Sequence, residues 1–404
     1  MLLALGAAPA LAEPPRPTTD PAAPTPTAPY PGLPPQGSAP GGGTVGGSAL
    51  DTRGVVAADG TPPLPAVGAA GWLVADAGTG QVLAARDPHG RYYPASTLKT
   101  LTLLTLAPQL DWGVVVTGTP EDESVEGTRV GMVAGGRYTV GLLLAAMVLQ
   151  SGNDAANALA RTFGGVAPTL AAMDAEAADI GAFDTVAGTP SGLDVAGQSS
   201  SPYDLALIFR RLVADPFLAP ILTTPTAQLP DVPGRAPGFQ IQNQDPLLGS
   251  YPGNLGGKTG FTDAARHTFV TAAQRDGRRL VVSLMDTENR PVRFDDQARM
   301  LLDWGFATAP GTAGVGRLVD SGADALAGTA GPPAGSTAPT TAPSSSAAPV
   351  AAGPTGTAAA PARRSLLLVV AGGAVLAVLG VGLGVGLGVR RRRRRAAAVS
   401  AADR

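Results

Sequence analysis

The sequence predicts a mixed α/β domain built around an antiparallel sheet. Pairs of apolar, β-like runs lie at both ends of the segment 64–308, and strongly apolar helical stretches lie between them. These strands can form one antiparallel sheet only if the two ends of the segment lie side by side. The helices are then inserted in the chain between the strands of that sheet. Pro- and Gly-rich tracts flank the segment on both sides. We therefore expect one folded domain between disordered tracts.

The first pair of strands is a hairpin at the start of the domain. Residues 71–76 and 81–85 are apolar, and the Ala-Gly-Thr-Gly stretch 77–80 between them is typical of a turn. At the other end of the domain, Asp276-Gly277 is a strong hairpin signal. The β-like runs that flank it are residues 267–274 and 279–285.

The helices are predicted from apolar stretches that are too long for strands. Pro94 suits the first turn of the first helix, because proline is tolerated where no backbone donor is needed. The predicted helices cover residues 94–106, 140–149, 154–163, 170–180, 203–213 and 295–304.

The tracts outside the domain have separate expected roles. Residues 1–12 are apolar and end in an Ala-x-Ala cleavage pattern, which favours a signal peptide that lacks its basic start. Residues 13–63 and 309–364 are rich in Pro, Thr, Ala and Gly, and we expect both to be disordered. The second tract would act as a stalk.

The segment 365–389 predicts a transmembrane helix. Its residues from Leu366 onward are uncharged and mostly apolar, and about 20 such residues suffice to span a bilayer. Six arginines follow at the start of the tail 390–404, which predicts a cytoplasmic C-terminus and an extracytoplasmic domain. We therefore expect a single-pass protein of the cell membrane.

Charge and composition exclude several classes of function. Residues 363–404 hold nine arginines and one aspartate, so the rest of the chain carries 20 basic and 30 acidic residues and is a poor nucleic-acid binder. The absence of cysteine excludes disulfides, thiolate metal sites and thiol catalysis. Two histidines, His89 and His267, cannot form a multi-histidine metal centre. No metal or cofactor is expected, and the protein is expected to be monomeric.

Three short polar motifs occur in order along the domain: Ser96-x-x-Lys99, Ser151-Gly152-Asn153 and Lys258-Thr259-Gly260. Each is weak evidence alone. The chain has only two lysines among its 29 basic residues, however, and both fall in this set. A buried lysine can lose its proton whereas arginine remains charged, so these two positions are candidates for chemistry that arginine cannot perform.

The spacing of the first motif predicts a nucleophile with its base. Residues three apart on a helix share a face, so Lys99 Nζ can reach Ser96 Oγ. A serine hydroxyl becomes a good nucleophile when a neighbouring base takes its proton, and lysine is such a base only when neutral. Burial and a second cation both lower a lysine pKa, and Lys258 is the candidate for that cation. The motif therefore favours a serine acyl-transferase.

The other motifs supply groups that such an enzyme needs. The Ser151 hydroxyl can relay a proton to the leaving amine, and the Asn153 amide can hold a substrate backbone group. The run 258–260 is interpreted as an edge strand that an extended peptide can join, with Gly260 allowing close approach. The backbone N–H groups of Ser96 and Phe261 are the candidate oxyanion hole.

Taken together, the motifs resemble those of the penicillin-recognising serine enzymes. The longer strings PASTLKT, LQSGNDAANALA and GGKTGFTDAARHTFV are similar to low-molecular-mass D-alanyl-D-alanine carboxypeptidases of actinobacterial type. The resemblance covers about residues 66–307. It implies a five-stranded antiparallel sheet flanked by helices, with a cleft against a helical subdomain. It also implies removal of the terminal D-alanine from peptidoglycan stem peptides through an acyl-enzyme on Ser96, and covalent inhibition by penicillins.

The same resemblance assigns roles to single residues. It makes Lys99 the general base, lets Ser151 and Asn153 complete the cleft, and places Lys258 and Thr259 at the substrate's terminal carboxylate. The sequence also departs from the family. Many relatives carry a second, all-β domain and an amphipathic anchor, which this chain replaces with the stalk and spanning helix. Many also have Gly where this chain has Arg266.

Simpler interpretations exist for several of these residues. The stretch around Ser151 is also typical of a helix C-cap and turn in which Gly152 is left-handed. Lys258 can protect a strand edge. Arg293 can bind a carboxylate or pair with a neighbouring aspartate on the surface. His267 is expected to be a packed strand residue, and His89 is assigned no role.

Other functions on the same scaffold stay open at this point. A class A β-lactamase needs, after the second motif, a glutamate with Asn four residues further on. The only glutamate in that region of this chain is Glu176, and the residue four positions later is Ile180, which argues against fast penicillin hydrolysis. A transpeptidase, an esterase or another peptidase would share the motifs, since fold does not fix function. A surface penicillin sensor would bind without turnover.

Overall fold

The computed structural model describes residues 39–40 and 42–329. The strands are β1 Val55–Ala57, β2 Gly71–Asp76, β3 Gln81–Arg86, β4 Val115–Thr117, β5 Arg137–Thr139, β6 Thr226–Leu229, β7 Phe239–Gln242, β8 Asn254–Thr262, β9 Arg266–Arg275, β10 Arg278–Thr287 and β11 Gly316–Arg317. The helices are α1 Lys99–Leu106, α2 Pro120–Ser124, α3 Val140–Leu149, α4 Asn153–Phe163, α5 Val166–Ile180, α6 Pro202–Ala214, α7 Ala219–Thr223, α8 Phe294–Ala307 and α9 Gly322–Thr329.

The two ends of the domain meet in one antiparallel sheet, as predicted. The sheet runs in the order β1-β3-β2-β10-β9-β8, with β2 paired to β10 from Gly71↔Met285 to Asp76↔Leu280. Within the described residues it has seven strands rather than the five that the family resemblance implies. The extra two, β1 and β11, are short and pair with the outer edge of β3. Both come from outside the segment 64–308.

Helices cover both faces of the sheet, because the central strands are apolar on both sides. In β10, Val281 packs into the larger core cluster, whereas Leu280 and Val282 pack into a second cluster on the opposite face. Alternate residues of a strand point to opposite faces, so one strand serves both layers. The second cluster holds residues of α8. The helices between β3 and β8 form most of the larger cluster and the helical subdomain.

The flanking tracts are folded where the structure describes them, which corrects the domain boundaries. The side chains of Val45, Leu50 and Leu318 are buried in the larger core cluster, and Tyr203 Oη donates to the Arg317 carbonyl at 2.8 Å. The prediction of disorder was therefore wrong for the described parts of 13–63 and 309–364. A few apolar residues in a Pro/Gly-rich tract suffice to order it, because the domain supplies their partners.

Several predicted features lie outside the described residues. These are the signal peptide, most of the stalk, the transmembrane helix and the basic tail. In the part of the chain that the structure describes, no helix combines the length and apolar character needed to cross a bilayer.

Two small two-stranded sheets were not predicted from the sequence. β4 pairs with β5, and β6 pairs with β7, both antiparallel. Their strands are three or four residues long and partly exposed, so they lack the clear alternation by which strands are recognised. The β6–β7 pair matters for the site, because the segment 243–253 connects it to β8.

Candidate active site

Ser96 lies in a tight 3₁₀ turn, Ala95–Leu98, that leads directly into α1. Ala95 adopts a left-handed backbone with φ of 47°, a conformation that costs an L-residue free energy and is common at functional sites. The turn is held from β9, since Thr268 Oγ1 donates to the Pro94 carbonyl at 2.8 Å. The Ser96 side chain is thereby presented from a rigid turn above the sheet edge.

Lys99 begins α1, and its amine contacts Ser96 and two further polar groups. Its Nζ lies 2.9 Å from Ser96 Oγ, 2.7 Å from Asn153 Oδ1 and 2.7 Å from the Ser191 carbonyl oxygen. The side chain is fully buried. Burial, followed by the charge of Lys258, lowers the pKa of Lys99 well below its ordinary value. The predicted contact is present, and the environment favours the neutral amine that can accept a proton.

The second motif forms the turn between α3 and α4. Ser151, rather than Gly152, is the left-handed residue, with φ of 62°, so the expectation that Gly152 supplies this conformation was wrong. Gly152 is required by space, because a methyl group there would lie 2.5 Å from Val130 Cγ1. Asn153 Nδ2 donates to the Glu126 carbonyl at 2.7 Å. The Asn153 amide thus connects Lys99 to the loop that contains Glu126.

The third motif lies on β8, the edge strand of the sheet, as predicted. Lys258 is buried, and its Nζ lies 2.9 Å from Ser151 Oγ and 2.8 Å from the Thr259 carbonyl. Burial lowers the pKa of Lys258 to about 7. A methyl group at Gly260 would lie 2.9 Å from the Ser96 backbone nitrogen. The strand therefore passes directly beside the nucleophile, and Phe261, half-exposed, follows at the same edge.

These contacts connect all three motifs in one cluster. Ser96 contacts Lys99, Lys99 contacts Asn153, and Ser151 contacts Lys258. The arrangement provides a nucleophile, a neutral base, a hydroxyl for proton relay and a cation for an anionic substrate group. Metal-binding clusters of three or more suitable side chains are absent from the described residues.

Sequence reasoning missed three contributors to the cluster. The Ser191 carbonyl accepts a hydrogen bond from Lys99, and a backbone group leaves no side-chain signal in the sequence. Buried Asp154 accepts hydrogen bonds from the backbone N–H groups of residues 130–132 and so fixes the neighbouring loop. Asp245 is buried near Lys258, and its Oδ2 has no hydrogen-bond partner among the described residues. The only sequence signal for Asp245 was its position shortly before β8, the strand that carries Lys258.

Arg266 shows why glycine suits its position. It starts β9 with a left-handed φ of 54°, which glycine adopts at little cost. Its guanidinium forms a bidentate pair with Glu288, at 2.7 and 3.0 Å, and lies over the Phe261 ring. The arginine therefore packs beside the aromatic ring at the end of the third motif.

The remaining candidates take structural positions. His267 packs between the rings of Phe261 and Phe294, as expected of a strand residue. Arg293 pairs with Asp295 at 3.0 Å, which matches the surface-pairing interpretation. His89, to which the sequence assigned no role, is buried and contacts the Asp184 carboxylate and the Val45 carbonyl. It ties the described N-terminal tract to the domain.

The fold and this cluster together are those of a serine acyl-transfer enzyme. Comparisons with known proteins identify it further. A family model described as D-alanyl-D-alanine carboxypeptidase matches residues 58–289. A D-alanyl-D-alanine carboxypeptidase of Mycobacterium tuberculosis is 47% identical over 264 residues, which is 64% of this chain and 89% of that protein.

Solved structures lead to the same conclusion. The crystal structure of a Mycobacterium tuberculosis D-alanyl-D-alanine carboxypeptidase aligns with a TM-score of 0.62 at 45% identity, covering 65% of this chain and 99% of the other. A Streptomyces DD-transpeptidase aligns with a TM-score of 0.58 at 25% identity, covering 61% of this chain and 100% of the other. The chain belongs to the D-alanyl-D-alanine carboxypeptidase family of serine peptidases. The resemblance stated from the motifs is confirmed.

Proposed function

We propose that this chain removes the terminal D-alanine from peptidoglycan stem peptides through an acyl-enzyme on Ser96. The single observation that carries the proposal is the contact of 2.9 Å between Ser96 Oγ and the buried Lys99 Nζ. Burial lowers the pKa of Lys99, which favours the neutral amine that can act as base for the serine. Family membership supports the substrate class.

The reaction consists of two acyl transfers. Ser96 Oγ attacks the carbonyl carbon of the penultimate D-alanine while its proton passes to Lys99. The peptide bond then breaks, and Lys99 returns that proton through Ser151 to the departing D-alanine nitrogen, which leaves Lys99 neutral again. In the second step water attacks the ester carbon while Lys99 accepts the water proton. The bond between that carbon and Ser96 Oγ then breaks, and Lys99 passes the proton to Ser96 Oγ. Charge on the attacked oxygen is stabilised by the N–H groups of Ser96 and Phe261.

The remaining groups hold the substrate in this geometry. Lys258 and Thr259 bind the terminal carboxylate, and the substrate backbone lies along β8 between Gly260 and Asn153. A penicillin presents a carboxylate and a strained amide in the same arrangement, so it acylates Ser96. If an amine attacked the ester in place of water, the enzyme would act as a transpeptidase, the activity named for the similar Streptomyces structure.

The chemistry is tested on the full chain in detergent. We expect release of D-alanine from diacyl-L-Lys-D-Ala-D-Ala and, in parallel, one penicillin adduct that mass spectrometry maps to Ser96. Ser96→Ala should abolish both signals. An adduct without D-alanine release would favour a transpeptidase or a penicillin sensor, and an adduct elsewhere would overturn the assignment of the nucleophile.

We also propose that the domain is an extracytoplasmic monomer tethered by the helix 365–389. The support is the apolar length of that segment and the arginines that follow it. Because the chain has no cysteine, single cysteines report topology directly. In intact cells an impermeant maleimide should label Ser345→Cys in the stalk but not Ala398→Cys in the tail. The reverse pattern would contradict the proposed orientation.

A further inference from the structure

A polar groove with a volume of about 840 Å³ lies beside the C-terminal end of α3. One wall is the loop 129–133, and the other is β7 with the two residues that follow it. Gln150 also lines the groove and directly precedes Ser151. The Asn153 backbone N–H donates to the Thr128 carbonyl at 2.8 Å, so the first wall starts beside the cleft. The groove therefore adjoins the cleft that holds Ser96.

Both walls are fixed in place by the active-site elements. Buried Asp154 accepts hydrogen bonds of 2.9–3.0 Å from the N–H groups of residues 130–132. On the other side, the Gln244 N–H donates to the Leu149 carbonyl at 2.9 Å. A groove held this way is preformed, which reduces the entropy lost when a ligand binds.

The second wall exposes the free edge of a strand. β7 pairs with β6 on one side only, and residues 239–244 all line the groove in succession, which is expected where a cavity follows the strand's edge rather than one face. On that edge the described residues provide no backbone hydrogen-bond partner for β7. Such an edge binds extended peptides by adding them as a strand.

The side chains around this edge are mostly uncharged, and the one carboxylate among the described residues that line the groove, Glu123, is already paired with Arg235. The amides of Gln240, Gln242 and Gln244 are exposed and make no hydrogen bond to described residues, and each offers a donor and an acceptor. The Arg129 guanidinium donates to the Glu123 carbonyl but forms no ion pair with any described carboxylate. An arginine in this state can bind a ligand carboxylate.

We propose that this groove binds the part of the stem peptide that precedes the D-Ala-D-Ala end, extended along β7, with Arg129 at its free carboxylate. This inference rests on the proposed function and adds the substrate's length and charge to it. The groove starts beside Asn153, where the donor peptide leaves the cleft. A peptide that reaches the groove should therefore be a better substrate than one that ends inside the cleft.

The test compares two peptides on the full chain. The short one is diacyl-L-Lys-D-Ala-D-Ala, and the long one is L-Ala-γ-D-Glu-L-Lys-D-Ala-D-Ala, which adds a free α-carboxylate. We expect the long peptide to have a KM about tenfold lower, which corresponds to about 1.4 kcal/mol. Arg129→Gln should remove most of that advantage, as should replacing the glutamate by isoglutamine. Arg137→Gln, a matched exposed arginine outside the groove, should preserve it.

The outcomes separate this inference from the proposed function. Equal KM values for the two peptides in the wild-type protein would show that the groove does not bind the stem peptide. An equal rise in KM for both peptides in Arg129→Gln would show the same. Absence of D-alanine release from the short peptide would instead overturn the proposed function. If intact glycan strands improve binding and Phe239→Ala, not Arg129→Gln, removes the improvement, the groove binds sugar and the peptide assignment is wrong.

Discussion

The two lysines of this chain have different surroundings, and those surroundings divide the chemistry between them. Lys99 Nζ contacts a hydroxyl, an amide oxygen and a carbonyl oxygen, none of which is charged. Lys258 is near buried Asp245, whose charge raises the pKa of Lys258 against the effect of burial. The first position therefore favours a neutral amine and the second retains a positive charge more readily.

Replacing Lys99 by arginine tests whether the neutral amine is needed. Arginine keeps the positive charge but does not lose its proton, so Ser96 would have no base. We expect kcat/KM to fall at least about a hundredfold. Lys99→Met, which removes the amine without adding bulk, should also be inactive while still unfolding cooperatively on heating. Activity near wild type in either folded variant would refute the lysine-base mechanism.

Asp245 should set the alkaline limit of activity. Carboxylate binding needs charged Lys258, whose pKa is about 7, so kcat/KM should fall as pH rises through that range. Asp245→Asn removes a nearby negative charge and should lower the pKa of Lys258. The alkaline limb of the kcat/KM profile should then move to lower pH, with the acidic limb, assigned to Lys99, changing less.

The matched control is an aspartate whose conformation asparagine can keep. Asp276 lies in the β9–β10 turn with φ of 49°, which asparagine also adopts. Asp276→Asn should leave the profile where it is. If Asp245→Asn lowers the rate equally at every pH, Asp245 has only a structural role.

At the scale of elements, catalysis depends on the fit of β8 against the turn that carries Ser96. A methyl group at Gly260 would lie 2.4 Å from Thr268 Oγ1 and 2.9 Å from Ser96 N, so the strand or the turn has to move. Displacements of about 1 Å cost about a hundredfold in rate. We expect Gly260→Ala to lower kcat by about that factor. In Gly68→Ala the new methyl group meets nothing closer than 3.7 Å, and kcat should not change.

Local signals predicted the elements that carry the motifs. The Asp276-Gly277 turn has positive φ at both residues, as a two-residue hairpin requires, and α3 covers the predicted residues 140–149. The loop 125–136 had no such signal. It is shaped by hydrogen bonds to Asp154, which is distant in sequence from the loop it fixes. Contacts of this kind cannot be read from periodicity.

At the scale of the whole molecule, the domain is longer at both ends than the segment 64–308. Removing the described flanks exposes the pockets that Val45, Leu50 and Leu318 fill, and each such side chain contributes about 1.5–3 kcal/mol when buried. The fragment 64–308 should therefore be less stable than the fragment 39–329 by about 5 kcal/mol. Urea unfolding of the two fragments measures the difference.

The full chain provides the reference for that experiment. Fragment 39–329 contains all residues that the structure describes, so its urea midpoint should match that of the domain in the full chain. Equal stability of 64–308 and 39–329 would show that the flanks add nothing to the core, and the boundaries predicted from composition would then be adequate.

The sequence by itself determined the family, the order of the main strands and helices, and the residues of the three motifs. These depend on local patterns: periodicity, turn residues and short spacings within one helix or strand. The clustering of Ser96, Ser151 and Lys258 was expected from the family resemblance, but its distances were not.

Only the tertiary structure decided which groups complete the site and where the domain ends. The Ser191 carbonyl, the unpartnered oxygen of Asp245 and the free edge of β7 owe their roles to neighbours that are far away in the chain. The flanks fold because β3 and the core offer them partners. The composition of the site and the ends of the domain depend on burial and hydrogen bonding between segments that are distant in sequence. Those contacts form only when the chain folds.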